Sequence, residues 1–186
     1  MSPATRLKTR DYSLPGLYFV TICANFMRCT FGRVNRDKVN LSPLGRIVHE
    51  TWSEIPLHFG QVNLYSFVVM PNHVQGIIEI AFGLHHATSV RSIGLRPGSL
   101  SAIVRSLKAE VTRRARVELD WNGDIWQHNY YDRVIRDGRE FSTVTRYIAE
   151  NPLKWSRNQE NLHRQTKVPD AKRAQHAAPL QRRTQK

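Results

Sequence analysis

Two apolar runs, Val62 to Met70 and His73 to Ile80, are joined by Pro71-Asn72. Strand-forming residues on either side of a tight-turn signal predict an antiparallel hairpin in the middle of the chain. That hairpin constrains the rest, because the helical patterns before and after it must pack on a sheet that contains it. The strand period of two puts His73 and Gln75 on one face of the second strand. An imidazole and an amide oxygen on one face are half of a divalent-metal site.

Leu17 to Ala24 is rich in β-branched and aromatic residues and predicts a strand, with Pro15-Gly16 as a turn before it. Thr30 to Val34 predicts a short strand returning as a hairpin. Ser42 caps a helix that has Pro43 at its first position and Leu44, Ile47, Val48, Trp52 and Ile55 along one face. Phe82 to Ser99 has no period and reads as a mobile loop. Leu100, Ile103, Val104, Leu107 and Val111 form the stripe of a second helix. Asp120 to Gly123 is a turn and Tyr130 to Ile135 a strand. A last helix spans about Arg139 to Glu150 and is stopped by Pro152. There is no internal repeat. Strands and helices in this mixed order predict an α+β class with a central antiparallel sheet and packed helices.

The 186 residues suffice for one well-buried domain, expected over residues 1–160. Lys and Arg number 28 against 15 Asp and Glu, a net charge of +13, so the expected partner is polyanionic. Nucleic acid leads and an anionic membrane surface is second. Residues 161–186 hold seven Lys and Arg, one acid and no aromatic residue, and read as a disordered basic tail adding salt-sensitive affinity. No apolar run approaches the roughly 20 residues that span a bilayer. The N-terminus lacks the apolar segment of a secretory signal. Cys23 and Cys29 are too few for a disulfide framework, and Cys23 reads as a reduced core residue. A cytoplasmic protein, associated with the nucleoid when bound to DNA, is expected.

Chemistry-bearing residues recur at Arg146-Tyr147-Ile148-Ala149-Glu150-Asn151-Pro152-Leu153-Lys154-Trp155. Tyr147 and Asn151 are four apart at the end of a helical pattern, so helical geometry places them side by side. Asn151 is therefore a candidate third metal ligand, with Glu150 as its alternative. A metal and a tyrosine on a strongly basic chain suggest covalent cleavage of a nucleic-acid strand. Taken alone, His73 reads as a partly buried histidine and Tyr147 as a residue of an amphipathic helix. Tyr130 and Tyr131 are rival nucleophiles. They alternate across a strand, so one is core and the other a base-stacking platform. Arg105, Lys108, Arg113, Arg114 and Arg116 crowd the second helix against Glu110, a candidate phosphate-contacting face. Trp126, Gln127, Tyr131, Arg133 and Lys154 are further candidates for DNA contact. Arg133 and Arg136 lie on opposite faces, so both are not assigned to DNA. His85-His86 reads as a solvated pair.

Several words of this chain, in order, match one family: Asp11-Tyr12-Ser13-Leu14-Pro15-Gly16-Leu17-Tyr18-Phe19-Val20-Thr21, Leu44-Gly45-Arg46-Ile47-Val48, Val68-Val69-Met70-Pro71-Asn72-His73, Ile125-Trp126-Gln127, Tyr130-Tyr131-Asp132, and Tyr147-Ile148 with Asn151-Pro152. The chain resembles the REP-associated tyrosine transposases of the single-tyrosine HUH transposase superfamily. The resemblance implies a ferredoxin-like fold. It implies a DNA transposase, a metal-dependent single-stranded DNA endonuclease and strand transferase acting on hairpins of repetitive extragenic palindromic (REP) type. Tyr147 would be the nucleophile, forming a 5′-phosphotyrosine, and His73 a metal ligand. The family word has a second histidine where this chain has Gln75. An amide oxygen weakens a zinc-like site and suits Mg²⁺ or Mn²⁺.

The alternative is a degenerate hairpin-binding protein that cleaves weakly or not at all because of Gln75. A replication initiator of the same superfamily is disfavoured by the short chain. An RNA-binding module is open on charge alone. The chain is expected as a monomer or homodimer.

Overall fold

The computed structural model describes residues 15–81 and 98–166. The expected hairpin is present as β4 (Val62–Met70) and β5 (His73–Ile80), turning at Pro71-Asn72. Its other side pairs antiparallel with β1 (Gly16–Cys23), which in turn pairs with β6 (Tyr131–Ile135). The sheet order is β4-β5-β1-β6, antiparallel throughout. A register shift between Leu64 and Phe67, with one extra residue on β4, changes the alternation of this edge strand. It brings Val68 and Met70 to the same face as Gln75 and His73.

Helix α1 (Pro43–Ser53) begins as expected: the Ser42 side chain accepts from the Gly45 backbone N–H at 3.0 Å, with Pro43 in the first turn. A one-turn helix, α2 (Ile55–His58), follows. Helix α3 (Leu100–Leu119) is capped by Ser99. With β1, β4, β5 and β6, the helices α1 and α3 give two strand–helix–strand crossovers, the ferredoxin-like arrangement. Both helices pack on one sheet face. Tyr18, Val20, Ile22, Val74 and Ile78 meet Leu44, Val48, Trp52, Ile103, Leu107 and Val111 there. Gly76 lets Trp52 lie on the sheet, since a Cβ at that position would collide with the Trp52 and Phe67 side chains.

The second face is covered differently. Helix α4 (Gly138–Ala149) packs Phe141, Val144 and Ile148 on Leu17, Phe19, Ile77 and Ile135. Beyond it, α5 (Asn151–Ser156) brings Trp155 to Cys29, Val34 and Met70. Pro152 does not end the helical path as expected. It sits in the first turn of α5, where its missing N–H costs no hydrogen bond.

Two other expectations are corrected. The strand expected at Thr30 to Val34 is β2 (Gly32–Asn35), and it does not return onto β1. It pairs with β3 (Lys38–Leu41) in a separate two-stranded sheet. The connecting Arg36 and Asp37 both have positive φ, at 47° and 65°, the demand of a tight hairpin turn. No glycine marks that turn, so the sequence hid it. Helix α6 (Gln159–Thr166) carries ordered structure six residues beyond the expected boundary at 160. Buried Gln165 fixes it, accepting from Val34 N at 3.0 Å and donating to Val34 O at 3.1 Å. Residues 167–186 of the expected tail, the expected loop from 82 to 97 and His85-His86 lie outside the described residues. Among the described residues no helix is long and apolar enough to cross a membrane.

Candidate active site

The strand register draws a row of side chains across the second face. Val68, Gln75, Thr21 and Tyr131 are cross-strand neighbours, and Met70, His73 and Cys23 form the next row. Asn151 begins α5 directly over these rows. Asn72, Gln75 and Asn151 are all buried, at 1%, 7% and 8% exposure. Burying an amide is costly unless it is hydrogen-bonded, and here each is. The Asn151 Nδ2 group donates to Gln75 Oε1 at 2.5 Å and faces His73 Nε2 at 3.5 Å. Gln75 Nε2 donates to Thr21 Oγ1 at 3.1 Å.

Asn72 fixes the tautomer of His73. Its Oδ1 lies 2.7 Å from His73 Nδ1, and a carbonyl oxygen only accepts, so Nδ1 carries the hydrogen. The amide cannot easily turn over, because its Nδ2 donates to the Met27 carbonyl at 3.4 Å. His73 Nε2 therefore presents a lone pair toward Asn151 and Gln75. Burial pulls the imidazole down to about 4, against a smaller opposing effect of the Gln75 hydrogen bond. His73 is neutral at pH 7, the form that ligates a metal.

The three residues expected as ligands thus meet at one point. Among the described residues no three His, Cys, Asp or Glu side chains cluster as a metal site. The available set is one imidazole nitrogen and two amides, without a carboxylate. Two acceptor atoms, His73 Nε2 and Gln75 Oε1, converge there and suit a cation, whereas Asn151 presents its N–H and would ligate only with its amide turned to bring Oδ1 inward. Glu150 is engaged elsewhere. Its carboxylate pairs with Lys154 Nζ at 2.9 Å on the surface, and that ammonium holds its pKa down.

Tyr147 is on α4 above the same face, 42% exposed, with its ring edge-on to Phe19 at 6.1 Å and 88°. Phe19 is two residues from Thr21 on the same side of β1, so the nucleophile candidate flanks the amide row. Lys154 Nζ lies 4.9 Å from the Tyr147 ring centroid. The rivals separate as the alternation requires. Tyr131 is on the site face and 50% exposed, while Tyr130 packs against the opposite core with its hydroxyl 2.9 Å from Ser101 Oγ. Arg133 shares the site face and pairs with Glu140 at 3.2 Å.

The α3 candidates fare otherwise. Arg105, Lys108, Arg113 and Arg114 ride on a helix that covers the opposite face. Arg114 is held by Glu50, Glu118 and Glu54 at 2.6, 2.9 and 3.6 Å, which ties α3 to α1. Lys108 Nζ donates to the carbonyls of Gln127, His128 and Asn129 at 2.8, 3.1 and 3.0 Å. Both side chains tie elements of the protein to one another. Arg113 pairs with Glu110 on the surface, and Arg105 makes no ion pair among the described residues. Trp126 bridges Ala24 and packs on Phe31 at 5.1 Å, and Gln127 N donates to Cys23 O at 3.0 Å. These two fasten the end of β1 and stay partly exposed, Trp126 lining a surface depression with Lys108, Arg113 and Arg116. Sequence reasoning gave no role to Asn72 or Thr21, although the turn and the cross-strand register contained both.

No family model matches the chain. An uncharacterized protein of Haemophilus influenzae is 37% identical over 163 residues, covering 83% of this chain and 89% of that one. A solved structure of a REP-associated tyrosine transposase bound to a REP hairpin superposes with a TM-score of 0.55. It shares 19% identity and covers 80% of this chain and 74% of its own. The chain belongs to one family with the Haemophilus influenzae protein, and its fold is that of the REP-associated tyrosine transposase.

Proposed function

We propose that this protein is a transposase-like enzyme that cleaves and rejoins single-stranded DNA beside a REP-type hairpin, through Tyr147. One observation carries the reading. His73 Nε2, Gln75 Oε1 and the Asn151 amide converge on the sheet face that an exposed tyrosine overlooks. The fold shared with a hairpin-bound transposase and the net charge of +13 support the same substrate.

In this reading the Tyr147 oxygen attacks the scissile phosphorus as its phenolic proton leaves. The bond from phosphorus to the upstream 3′ oxygen breaks, giving a 5′-phosphotyrosine and a free 3′-OH. A second 3′-OH then displaces the tyrosine, so rejoining needs no nucleotide triphosphate. Lys154 sets a positive charge beside the ring, where a phosphate arrives. His73 and Gln75 would hold Mg²⁺ or Mn²⁺, joined by Asn151 through Oδ1 once its amide turns over, and the ion when bound would offset charge on the phosphate. Asn72 keeps the His73 lone pair pointed inward, and Thr21 does the same for Gln75. Tyr131, on the row of Gln75, is placed to stack an unpaired base.

A second reading is favoured by the Asn151–Gln75 hydrogen bond, which already satisfies the amide oxygen a metal would need. That protein grips hairpins and cleaves them poorly. One experiment separates the two. The chain and its Tyr147→Phe variant are incubated with a REP-like hairpin and Mg²⁺ or Mn²⁺, then run on denaturing and native gels. A metal-dependent covalent adduct that the variant lacks is expected. Hairpin binding without any adduct would establish the second reading.

A further inference from the structure

Between β1 and β2 the chain makes one 3-10 turn at Asn25–Met27, and its backbone is strained. Phe26 and Met27 both have positive φ, at 51° and 53°. That conformation is unfavourable for an L-residue, and an aromatic side chain gains no local compensation. Five hydrogen bonds hold the turn. Ala24 N donates to Asn72 O at 2.8 Å, Asn25 N to Ile125 O at 2.8 Å, Met27 N to Ala24 O at 3.0 Å and Arg28 N to Asn25 O at 3.2 Å. The fifth is from Asn72 Nδ2 to Met27 O at 3.4 Å. What this framework presents is the Phe26 ring, 76% exposed, with the Arg28 guanidinium 5.5 Å from its centroid.

Strain held in place to expose a large apolar ring has no use in folding. The location supplies one. The Asn72 side chain that supports Met27 is the one that hydrogen-bonds His73, so the turn stands one side chain from the candidate site. A flat apolar face with a cation beside it matches a nucleotide: the ring takes the base and the guanidinium takes the phosphate. We propose that Phe26 and Arg28 grip one unpaired nucleotide in the single-stranded segment flanking the hairpin, next to the scissile position. The inference rests on the DNA-processing reading above.

The test uses the full chain and two hairpin oligonucleotides, one blunt and one with a single-stranded flank carrying 2-aminopurine. Phe26→Ala is expected to weaken binding of the flanked hairpin roughly 5- to 150-fold, the range of base–aromatic stacking, and to leave the blunt one unchanged. Phe26→Trp keeps the affinity and quenches 2-aminopurine. Phe26→Gly loses the same affinity while its Tm rises by roughly 2–4 °C, because glycine adopts positive φ freely. Equal binding of the flanked hairpin by wild type and Phe26→Ala overturns the proposal, as does an equal loss on the blunt hairpin. A flank-specific loss without any Tyr147 adduct would sink the cleavage reading and leave the nucleotide grip standing.

Discussion

The two faces of the central sheet differ in how they use polar residues. On the face under α1 and α3, apolar side chains close the core, and the cations Lys108 and Arg114 hold carbonyls and carboxylates of the protein itself. On the face under α4 and α5, three buried amides and a histidine bond mainly to one another below an exposed tyrosine. Helices α1 and α3 carry six of the 28 Lys and Arg, partly offset by Glu50, Glu110 and Glu118. The second face carries the groups able to do chemistry. Mutations on the two faces should therefore fail in different ways.

The largest effect is expected on the closed face. Trp52→Ala should cost about 3–5 kcal/mol, the usual range for removing a buried tryptophan. Tyr147→Phe, on the open face, should stay within about 0.5 kcal/mol of wild type while losing the adduct. Denaturant unfolding of both variants measures this. A loss below about 1 kcal/mol in Trp52→Ala would break the contrast, since the α1–sheet packing would then hold little.

Next in size is the pH response of the open face. The His73 pKa is depressed in the fold, to about 4 from an ordinary 6.5. A depressed histidine means that the unfolded chain binds the extra proton. Its contribution is complete above about pH 6.5 and is lost as pH falls toward 4, amounting to about 3 kcal/mol. His73→Asn should therefore show a flatter stability curve between these limits. Parallel curves for the two proteins would mean that the histidine takes up its proton as easily folded as unfolded.

Smaller again is the test of the α3 cations. Lys108→Met leaves three carbonyls without their donor and should destabilise by about 1–3 kcal/mol. Arg105→Ala should stay within about 0.5 kcal/mol. If Arg105 touches phosphate, its variant instead reduces the salt dependence of DNA binding by about one unit of slope. A neutral Lys108→Met would mean that these three bonds add little to the fold.

These cations also show where the sequence stopped being legible. Local rules were enough for Ser42 and Pro43 at a helix start, for the β4–β5 hairpin, and for His73 and Gln75 on one face. The Tyr147–Asn151 spacing survived even though α4 and α5 are separate helices, because Glu150 between them keeps a helical backbone. What escaped depends on partners far along the chain. Nothing near Arg114 announces Glu50, and nothing near Gln165 announces Val34. The β2–β3 turn and the Phe26 turn escaped for another reason: both put non-glycine residues at positive φ, against the local preference that sequence reading relies on.

The smallest expected effect bears on the open face alone. Gln75→His replaces an amide oxygen by an imidazole nitrogen opposite Asn151, and nitrogen ligands raise affinity for cobalt and zinc more than for magnesium. Co²⁺ titration followed by absorbance should give about tenfold tighter binding, or about 1.4 kcal/mol. The change also removes the acceptor of the Asn151 N–H and the donor to Thr21, so some stability should be lost. Both results together would mean that Gln75 trades metal affinity for a closed network. Lower stability with unchanged Co²⁺ affinity would mean that Gln75 is no ligand, and that its work is to hold Asn151 against His73.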